Sequence, residues 1–454
     1  MVADPTYRSP EWWVERLNTK LDERQERIAK LDDYYEGDHP LPRAPERAKD
    51  AYRKWLKKSR SNWMGLVVDA TLERLRVQGI RYGRDPGADA SAWAIWQAND
   101  LDTGSDDVHL EALVCGESAV TVEPGPDGAL PIISPEHPSQ IIVATHPTRA
   151  LIREAAFKKW RDDSGYVDAA LYLPGEIYKL RSASKVRDDR TAPKIKWEPR
   201  EVADEDWPLT HGLGVPVVPF RNRARMLKGG RSEIDGVTDT QDRINEMLFQ
   251  RMIAGQYAAF RQRAASGMAL DTDPNTGKAR MPFEPSMTEL WVSEDPATTW
   301  HDFAESSLTG YLESVAADVQ HIAAQSHTPP HYLLGQMVNL AAEALKAAEA
   351  GLVNKVQNRM LHFGESWEEV WRLAFLANGN TRKAAVRDAE IIWRNPEFRT
   401  EGQMVDALVK MAGLGVPREI LWERWGATPT EIQRFKDLGA DGGPMPGPAP
   451  APTS

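Results

Sequence analysis

Residues 328–339 read TPPHYLLGQMVN, and the longest helical pattern of the chain follows them. The two prolines end any preceding helix, so residues 331–339 predict a flexible segment. From about Leu340 to Ala377, apolar residues recur in steps of three, four or seven, which keeps them on one face of a helix. The residues of this stripe are Leu345, Leu352, Val356, Phe363, Trp367, Val370 and Ala374. Such a helix would span about 55 Å, so we expect neighbouring elements or other subunits to cover its apolar face.

The ends and bends of this helix also have sequence signals. Asn339 is a plausible N-cap, because its side-chain oxygen can accept a hydrogen bond from an unpaired N–H group of the first turn. Gly351 and Gly364 lie within the pattern, and glycine lowers helix propensity. We therefore expect any bend of the helix at these two positions.

Composition narrows the class of protein. The 454 residues are 41% hydrophobic, carry a net charge of -11 and include one cysteine. No apolar run is long enough for a membrane span and no secretory signal is present, so we expect a soluble intracellular protein. A net negative charge argues against tight binding of nucleic acid over the whole surface, but it is compatible with DNA sliding past. Cys115 excludes an intrachain disulfide and most cysteine-based metal sites, and its apolar neighbours predict a small buried side chain.

The first half of the chain predicts helices and then strands. An amphipathic helix over residues 11–36 would carry Trp13, Leu17, Leu21, Ile28, Leu31 and Tyr35 on one side. Shorter helices follow up to about residue 114. Between residues 118 and 220, short apolar runs separated by Pro and Gly predict a mostly antiparallel sheet. Its last run, Val215–Phe220, contains two prolines and can form only an edge strand.

The second half returns to helices. Ser232, followed by Asp235 three residues on, predicts the start of a helix that runs to about Arg263. Residues 264–301 lose the helical period and predict a small β-containing insert, after which a helix resumes near Ala304. A strand over 389–393 and three short helices complete the ordered chain, and residues 439–454 predict disorder. The last helix has the clearest start, with Thr428 as its cap, Pro429 and Glu431. The fold class is therefore α+β.

Motifs of enzymatic chemistry are missing. The sequence has no phosphate-binding G-x-x-x-x-G-K-[ST] loop, no G-x-S-x-G elbow and no H-E-x-x-H helix. His321, His327 and His331 are the best metal candidates, but two prolines separate the last pair, so they cannot share a helical face. The pair Glu368–Glu369 is most simply a solvated helix face. We therefore predict no catalytic residues, no cofactor and no metal.

The densest positive patch has two interpretations. Its members are Arg221, Arg223, Arg225, Lys228 and Arg231. They could contact phosphate or an acidic neighbour, or they could form a salt-bridged subunit surface in an otherwise acidic protein. The second interpretation is favoured, because aromatic residues are not interleaved as in single-strand binding sites.

Three stretches of the chain resemble the portal proteins of tailed bacteriophages, in particular those of long-tailed siphophages. The stretches are Tyr34–Leu41 with Asn62-Trp63 and Val67–Ala70, then Gly230–Ile234 with Gln241–Asn245, and finally Tyr332–Gly335 with Asn339–Lys346. The resemblance covers residues 10–440 and rests on the order of these stretches rather than on one diagnostic motif.

The resemblance implies a portal fold, mainly α-helical with a mixed β wing, which assembles as a twelve-subunit ring around a central channel. The implied parts are the wing at 1–231, the first stem helix at 232–263, the clip at 264–302, the second stem helix at 303–327, the tunnel loop at 328–339, the long wing and tunnel helix at 340–379, the crown at 380–440 and a disordered tail at 441–454. Such a ring would stand at one vertex of the capsid and conduct double-stranded DNA during packaging and ejection.

Site residues follow from the same resemblance. The tunnel loop would present His331, Tyr332, Gly335, Gln336, Met337, Val338 and Asn339 to the DNA. The clip would dock the large terminase and later the head–tail adaptor through Asp271, Asp273, Asn275, Lys278 and Arg280. Major capsid and scaffolding proteins are further implied partners, and the protein would be made in the host cytoplasm without membrane contact.

Two other classes of function remain open at this point. One is a metal-dependent hydrolase or nuclease that acts on nucleic acid, suggested only by scattered His and acidic residues. The other is a cytoplasmic helical scaffold or adaptor without a DNA role. The absence of a nucleotide-binding motif favours a structural protein that leaves ATP hydrolysis to a separate terminase.

Overall fold

The chain folds into two compact units, each assembled from separate segments. The larger unit comprises Met1–Asp38, Met64–Val237 and Ala323–Ser454, and the smaller comprises His39–Trp63 and Thr238–Ile322. The computed structural model describes residues 5–43, 49–83, 87–186, 195–200, 206–226, 228–259, 263–266, 274, 296–302, 307–335, 342–397 and 401–439.

Helices and antiparallel strands occupy largely separate stretches of the chain, which confirms the α+β class. The helices are α1 Pro10–Glu23, α2 Gln25–Glu36, α3 Lys49–Lys58, α4 Met64–Leu72, α5 Ala90–Ala98, α6 Leu101–Cys115, α7 Thr238–Ala259, α8 Thr309–Ser326, α9 Pro330–Leu334, α10 Ala342–Ala377, α11 Thr381–Ala384, α12 Glu401–Gly413, α13 Arg418–Trp425 and α14 Pro429–Asp437. The strands are β1 Val77–Tyr82, β2 Glu117–Glu123, β3 Ile132–Glu136, β4 Ile141–His146, β5 Arg149–Arg161, β6 Val167–Leu173, β7 Glu176–Ser182, β8 Trp197–Pro199, β9 Leu209–Thr210, β10 Val217–Arg221, β11 Arg263–Ser266, β12 Thr299–Asp302 and β13 Ala389–Trp393.

The predicted β region forms two antiparallel sheets of the larger unit. Strands β10, β2 and β3 make one sheet, and β4 to β8 in sequence order make the other, with β9 paired to β7. Strand β10 lies at an edge and pairs Pro219 with Ala119 of β2, as the two prolines of residues 215–220 predict. Helix α1 covers the second sheet, where Leu17 and Leu21 join a core with Phe157 and Leu171.

The predicted helix over residues 11–36 is two helices. Arg24 separates them, and its side chain pairs with Glu117 and donates hydrogen bonds to the carbonyls of Pro138 and Ile141. The break also changes the buried face of α2. Tyr34 is buried there, whereas the predicted Tyr35 is half-buried and donates through its hydroxyl to Asp69 at 3.0 Å.

From Leu352 onwards, the predicted apolar stripe of α10 is buried by the chain itself, whereas the side chain of Leu345 lies outside the described part. The helix is continuous for 36 residues through both glycines, and it packs against β2, β10 and β13. Phe363 and Trp367 are fully buried there. Trp367 Nε1 donates to His109 Nε2 at 2.9 Å, and burial lowers the pKa of His109 to about 3, so this ring stays neutral at neutral pH. Other subunits are therefore not needed to cover these residues, whereas Asn339, the expected cap, lies outside the described residues.

Strand β1 was not predicted, although its partner was. Residues 77–82 pair antiparallel with β13, the predicted strand at 389–393, with Ile80 opposite Ile391. The three helices that follow β13 are also present, and α14 begins with the predicted capping box. Thr428 accepts from the N–H of Glu431, whose carboxylate accepts from the N–H of Thr428 in return.

The predicted cap at Ser232 is wrong. Ser232 is fully buried, and its hydroxyl accepts a hydrogen bond from Ile234 N at 3.1 Å in a turn. Helix α7 begins only at Thr238 and ends at Ala259. A short polar side chain satisfies a turn as readily as a helix start, so the pattern alone does not separate the two.

The smaller unit contains α3, α7 and the antiparallel pair β11–β12, in which Arg263 lies opposite Asp302. This pair agrees with the β-containing insert predicted between two helices. The predicted docking residues Asp271, Asp273, Asn275, Lys278 and Arg280 lie outside the described residues. Within the part of the chain that is described, no helix is long and apolar enough to cross a membrane.

Candidate functional site

The start of the segment predicted to be flexible is a short helix. Helix α9 covers Pro330–Leu334, and the side chain of its own Leu333 is buried. Gly335 ends the helix in the left-handed region, with φ of 63°, and its N–H donates to the carbonyl of His331. Glycine adopts this conformation without the strain that a side chain would add. Four of the residues predicted to face DNA, Gln336, Met337, Val338 and Asn339, lie outside the described residues.

The polar side chains of α9 contact the rest of the larger unit. Arg74 Nη2 donates to the hydroxyl of Tyr332 at 2.9 Å and lies 3.4 Å from Glu349 of α10. His331 Nε2 lies 4.0 Å from the same glutamate. Tyr332 remains 36% exposed, so its ring is anchored but still reaches solvent. The helix therefore fixes the point from which residues 336–339 begin.

Arg221 is the last residue of β10, and the other basic residues of the patch lie on the loop that follows it. Arg221 is 3.8 Å from Glu117, and Arg231 is 3.9 Å from Asp235. Among the described residues, no carboxylate lies within 4 Å of Arg223, Arg225 or Lys228, although Arg225 and Lys228 pair through their backbones. The patch is thus salt-bridged at its two ends and carries uncompensated positive charge in between.

A buried ionic cluster lies at the end of this loop. Glu233 accepts from Arg359 at 2.7 and 2.8 Å and from Asn222 Nδ2 at 2.9 Å, and Lys355 Nζ lies 3.6 Å away. Burial alone would raise the pKa of Glu233, but Lys355 and Arg359 outweigh it and hold that pKa below its usual value. Burial lowers the pKa of Lys355 to about 8. Asn222 also donates to the carbonyl of Arg231 at 2.8 Å, so the cluster fixes both ends of the basic loop to α10.

The acidic pair of α10 is not a solvated face. Arg153 and Arg372 both donate hydrogen bonds to Glu369. Glu368 is half-buried, and burial, together with Glu365 and Glu390, raises its pKa to about 7. The sequence pattern missed this because the partners come from other elements and from the neighbouring turns.

In the smaller unit, two of the stretches that carry the resemblance to portal proteins bond to each other. Gln241 Nε2 donates to the carbonyl of Ser61 at 2.7 Å, and Trp63 N donates to Gln241 Oε1 at 3.0 Å. Asn245 accepts from Ser61 N at 3.1 Å and contacts His39 Nδ1 at 3.1 Å. Both α7 amides are buried. The side-chain amides of α7 therefore hold His39, Ser61 and Trp63 in place.

Helices α7 and α8 are joined by a charged pair in the same unit. Arg243 donates two hydrogen bonds to the carboxylate of Asp318, from Nε at 2.9 Å and from Nη2 at 2.5 Å. His321 lies 3.6 Å from Asp318, and the Arg243 hydrogen bonds lower the pKa of that carboxylate. The structure thus brings His321 to Asp318 and His331 to Glu349. Across the described part of the chain, neither histidine belongs to a group of three metal-ligand side chains.

Comparisons with known proteins identify the family. A family model described as "Phage portal protein, SPP1 Gp6-like" matches residues 14–441. The portal proteins of Mycobacterium phage D29 and Mycobacterium phage L5 are each 30% identical to the chain, over 376 and 380 residues, which is 78% of this chain and 73% of each relative. The virion of a native gene transfer agent particle contains a chain that aligns with 91% of this one and 99% of its own length, at a TM-score of 0.40 and 12% identity. The chain therefore belongs to the phage portal protein family, in its SPP1 Gp6-like branch.

Proposed function

We propose that twelve copies of this chain close into a ring at one vertex of the capsid and that double-stranded DNA passes through its centre. The observation that supports this proposal best is the family match over residues 14–441. Portal proteins form oligomeric rings at phage capsids. A closed ring needs head-to-tail contacts between unlike surfaces. In such a ring, the basic loop at residues 221–231 of one subunit would meet the acidic surface of the next. The net charge of -11 supports this pairing.

The proposed channel surface includes residues 331–339. Helix α9 supports this assignment, because it holds Tyr332 at an exposed position and directs the chain into residues 336–339. Those four residues carry no charge. An uncharged segment in an acidic protein would touch the phosphate backbone without holding it, so DNA could slide.

The proposed partner surface is the insert between β11 and β12, with Asp271, Asp273, Asn275, Lys278 and Arg280. In this proposal it docks the large terminase during packaging and the head–tail adaptor afterwards. ATP hydrolysis belongs to the terminase, and this chain is structural rather than enzymatic. Major capsid and scaffolding proteins would contact the wing during assembly, and the protein would be made in the host cytoplasm.

The basic loop has two proposed roles. In the favoured role, Arg223, Arg225 and Lys228 contact an acidic surface of the neighbouring subunit. In the other, they contact phosphate. Among the described residues no carboxylate lies within 4 Å of these three side chains, so their charges are available for either contact. The hydrogen bonds of Glu233 to Asn222 and Arg359 keep the loop in place.

Electron microscopy and mass measurement of the purified full-length protein test the proposal. We expect a ring whose hole admits duplex DNA, with a mass of about twelve subunits. A strict monomer at micromolar concentration, with no ring in the images, would overturn the proposal. A ring with a hole too narrow for duplex DNA would favour the scaffold alternative instead.

A further inference from the structure

Four potential metal ligands from three distant stretches of sequence meet in the larger unit. Asp32 lies on α2, Glu111 and Cys115 lie one turn apart on α6, and His137 follows β3. One donor atom of each residue lies within 4.8 Å of those of all the others. Within the described residues this is the only such group.

The donor atoms of this group lie close to the separations found between ligands of one ion. Cys115 Sγ lies 3.1 Å from Asp32 Oδ1 and 3.7 Å from Glu111 Oε2. His137 Nε2 lies 3.0 Å from Glu111 Oε2 and 4.0 Å from Asp32 Oδ2. In a tetrahedral zinc site, bonds of about 2.0–2.3 Å place neighbouring donor atoms about 3.2–3.8 Å apart. Small side-chain movements would therefore bring the four donors onto one ion.

The histidine ring is held by residues behind it. His137 Nδ1 lies 2.6 Å from Ser139 Oγ and 3.2 Å from Ser139 N. The Ser139 N–H donates to Nδ1, and this contact turns Nε2 towards Glu111 and Asp32. Gln25 donates to the carbonyl of Ser139 at 2.6 Å, and Arg24 donates to that of Pro138. The turn that carries His137 is therefore fixed from the junction of α1 and α2.

The charges around this group suit a cation. Asp32 and Glu111 each place a carboxylate oxygen near the thiol of Cys115, at 3.1 and 3.7 Å from its Sγ. A divalent ion bound between them would offset the negative charge of these ligands.

A simple ion pair explains only part of this arrangement. His137 and Glu111 could pair without Asp32 or Cys115, yet the thiol lies between both carboxylates. The side chains of His137 and Asp32 are 35% and 37% exposed, so an ion can enter from solvent.

We propose that Asp32, Glu111, Cys115 and His137 form a binding site for a zinc-like divalent cation, which joins α2, α6 and the turn after β3. A thiolate with an imidazole favours Zn²⁺ over Mg²⁺ or Ca²⁺, which prefer oxygen ligands alone. The site does not depend on the proposed role of the ring, and it would stabilise the wing rather than carry out catalysis.

The test uses full-length protein that has been stripped with a chelator and dialysed against Zn²⁺ or Co²⁺. We expect about one metal per chain by elemental mass spectrometry. The Co²⁺ form should show thiolate-to-cobalt charge-transfer absorption, because Cys115 is the one cysteine. Cys115→Ser should abolish this band, and His137→Asn should weaken Zn²⁺ binding at least tenfold.

The matched control is His146→Asn. His146 lies at the end of β4, and its Nδ1 accepts from Thr148 N at 3.2 Å. This variant should bind Zn²⁺ as the wild type does. Asp32→Asn serves as a further ligand variant should Cys115→Ser fail to fold by circular dichroism. Wild-type protein without stoichiometric metal or without the cobalt band would overturn the proposal, as would equal Zn²⁺ binding by His137→Asn.

Discussion

Arg359 of α10 donates two hydrogen bonds to the same oxygen of Glu233, and both side chains are buried. Glu233 belongs to the turn that ends the basic loop, so this contact joins the longest helix to a surface segment. Lys355 adds a second cation at 3.6 Å. The carboxylate therefore compensates two buried positive charges at once.

Replacing that carboxylate should be costly. In Glu233→Gln the two cations remain buried without an anion, so we expect the free energy of unfolding to fall by about 3–5 kcal/mol. Urea denaturation at one fixed protein concentration measures this change. The control is Asp406→Asn, which breaks an exposed pair with Lys410 and should cost no more than about 0.5 kcal/mol. Equal stabilities of the two variants would contradict the assigned role of Glu233.

Glu368 should make stability depend on pH. Its folded pKa of about 7 lies above its usual value of 4.5, so the native state binds more protons between these values. The free energy of unfolding therefore falls as pH rises through this window. Glu368→Gln should remove that slope and stabilise the protein by about 1–2 kcal/mol at about pH 8, after allowance for solvent screening.

Denaturation of wild type and Glu368→Gln across this pH range gives the comparison. The two proteins should be equally stable below about pH 4.5, where both side chains are neutral. Glu313→Gln, which changes an exposed glutamate of α8, should keep the wild-type slope. A Glu368→Gln profile parallel to that of wild type would refute the assignment.

Gly230 should not tolerate a side chain. A Cβ built at this position would lie 1.7 Å from the carbonyl oxygen of Gly116, which itself accepts a hydrogen bond from Asn222 N at 2.9 Å. We expect Gly230→Ala to destabilise the protein by about 3 kcal/mol or more, because backbone must move. At the adjacent Gly229 a Cβ meets nothing within 4 Å, so Gly229→Ala should change stability by about 0.5 kcal/mol or less. Thermal unfolding of both variants measures the difference, and equal midpoints for Gly230→Ala and Gly229→Ala would contradict this prediction.

Residues 336–339 should matter for DNA and not for assembly. Replacing them with Gly-Ser-Gly-Ser keeps α9 and its contacts to Arg74 and Glu349, so rings should form normally. Packaging into capsids should decrease, since the proposed contact with DNA is lost. The matched control replaces the exposed turn at residues 126–129 with the same four residues. DNA content per capsid, measured for both variants, decides the question, and full heads with the 336–339 variant would refute the channel assignment.

Sequence patterns predicted the structure correctly where the interacting residues are close together in the sequence. The capping box of α14 closes between Thr428 and Glu431, and Pro219 restricts the backbone of its own strand, β10. Both predictions were confirmed. The family was also predicted correctly, from three stretches that occur in the expected order along the chain. Hydrogen bonds between Gln241 and residues 61–63 show that two of these stretches contact each other.

Distant partners explain the errors. The helix break at Arg24 depends on Glu117 and on two carbonyls more than a hundred residues away, which no local period contains. Strand β1 likewise exists because of β13. The cluster around Cys115 has one local signal, Glu111 four residues before the cysteine on the same helix. Asp32 and His137 join it only through the tertiary fold.

The pairing of β1 with β13 bears on the order of events during synthesis. Strand β1 at residues 77–82 acquires its partner only after residue 393 has left the ribosome. Before then the chain has already made every segment of the smaller unit. Such long-range pairing slows folding, because a large loop must close before the strands meet. A product that stops before residue 393 would lack this closing strand, so ring assembly would draw its subunits from chains whose translation has passed that residue.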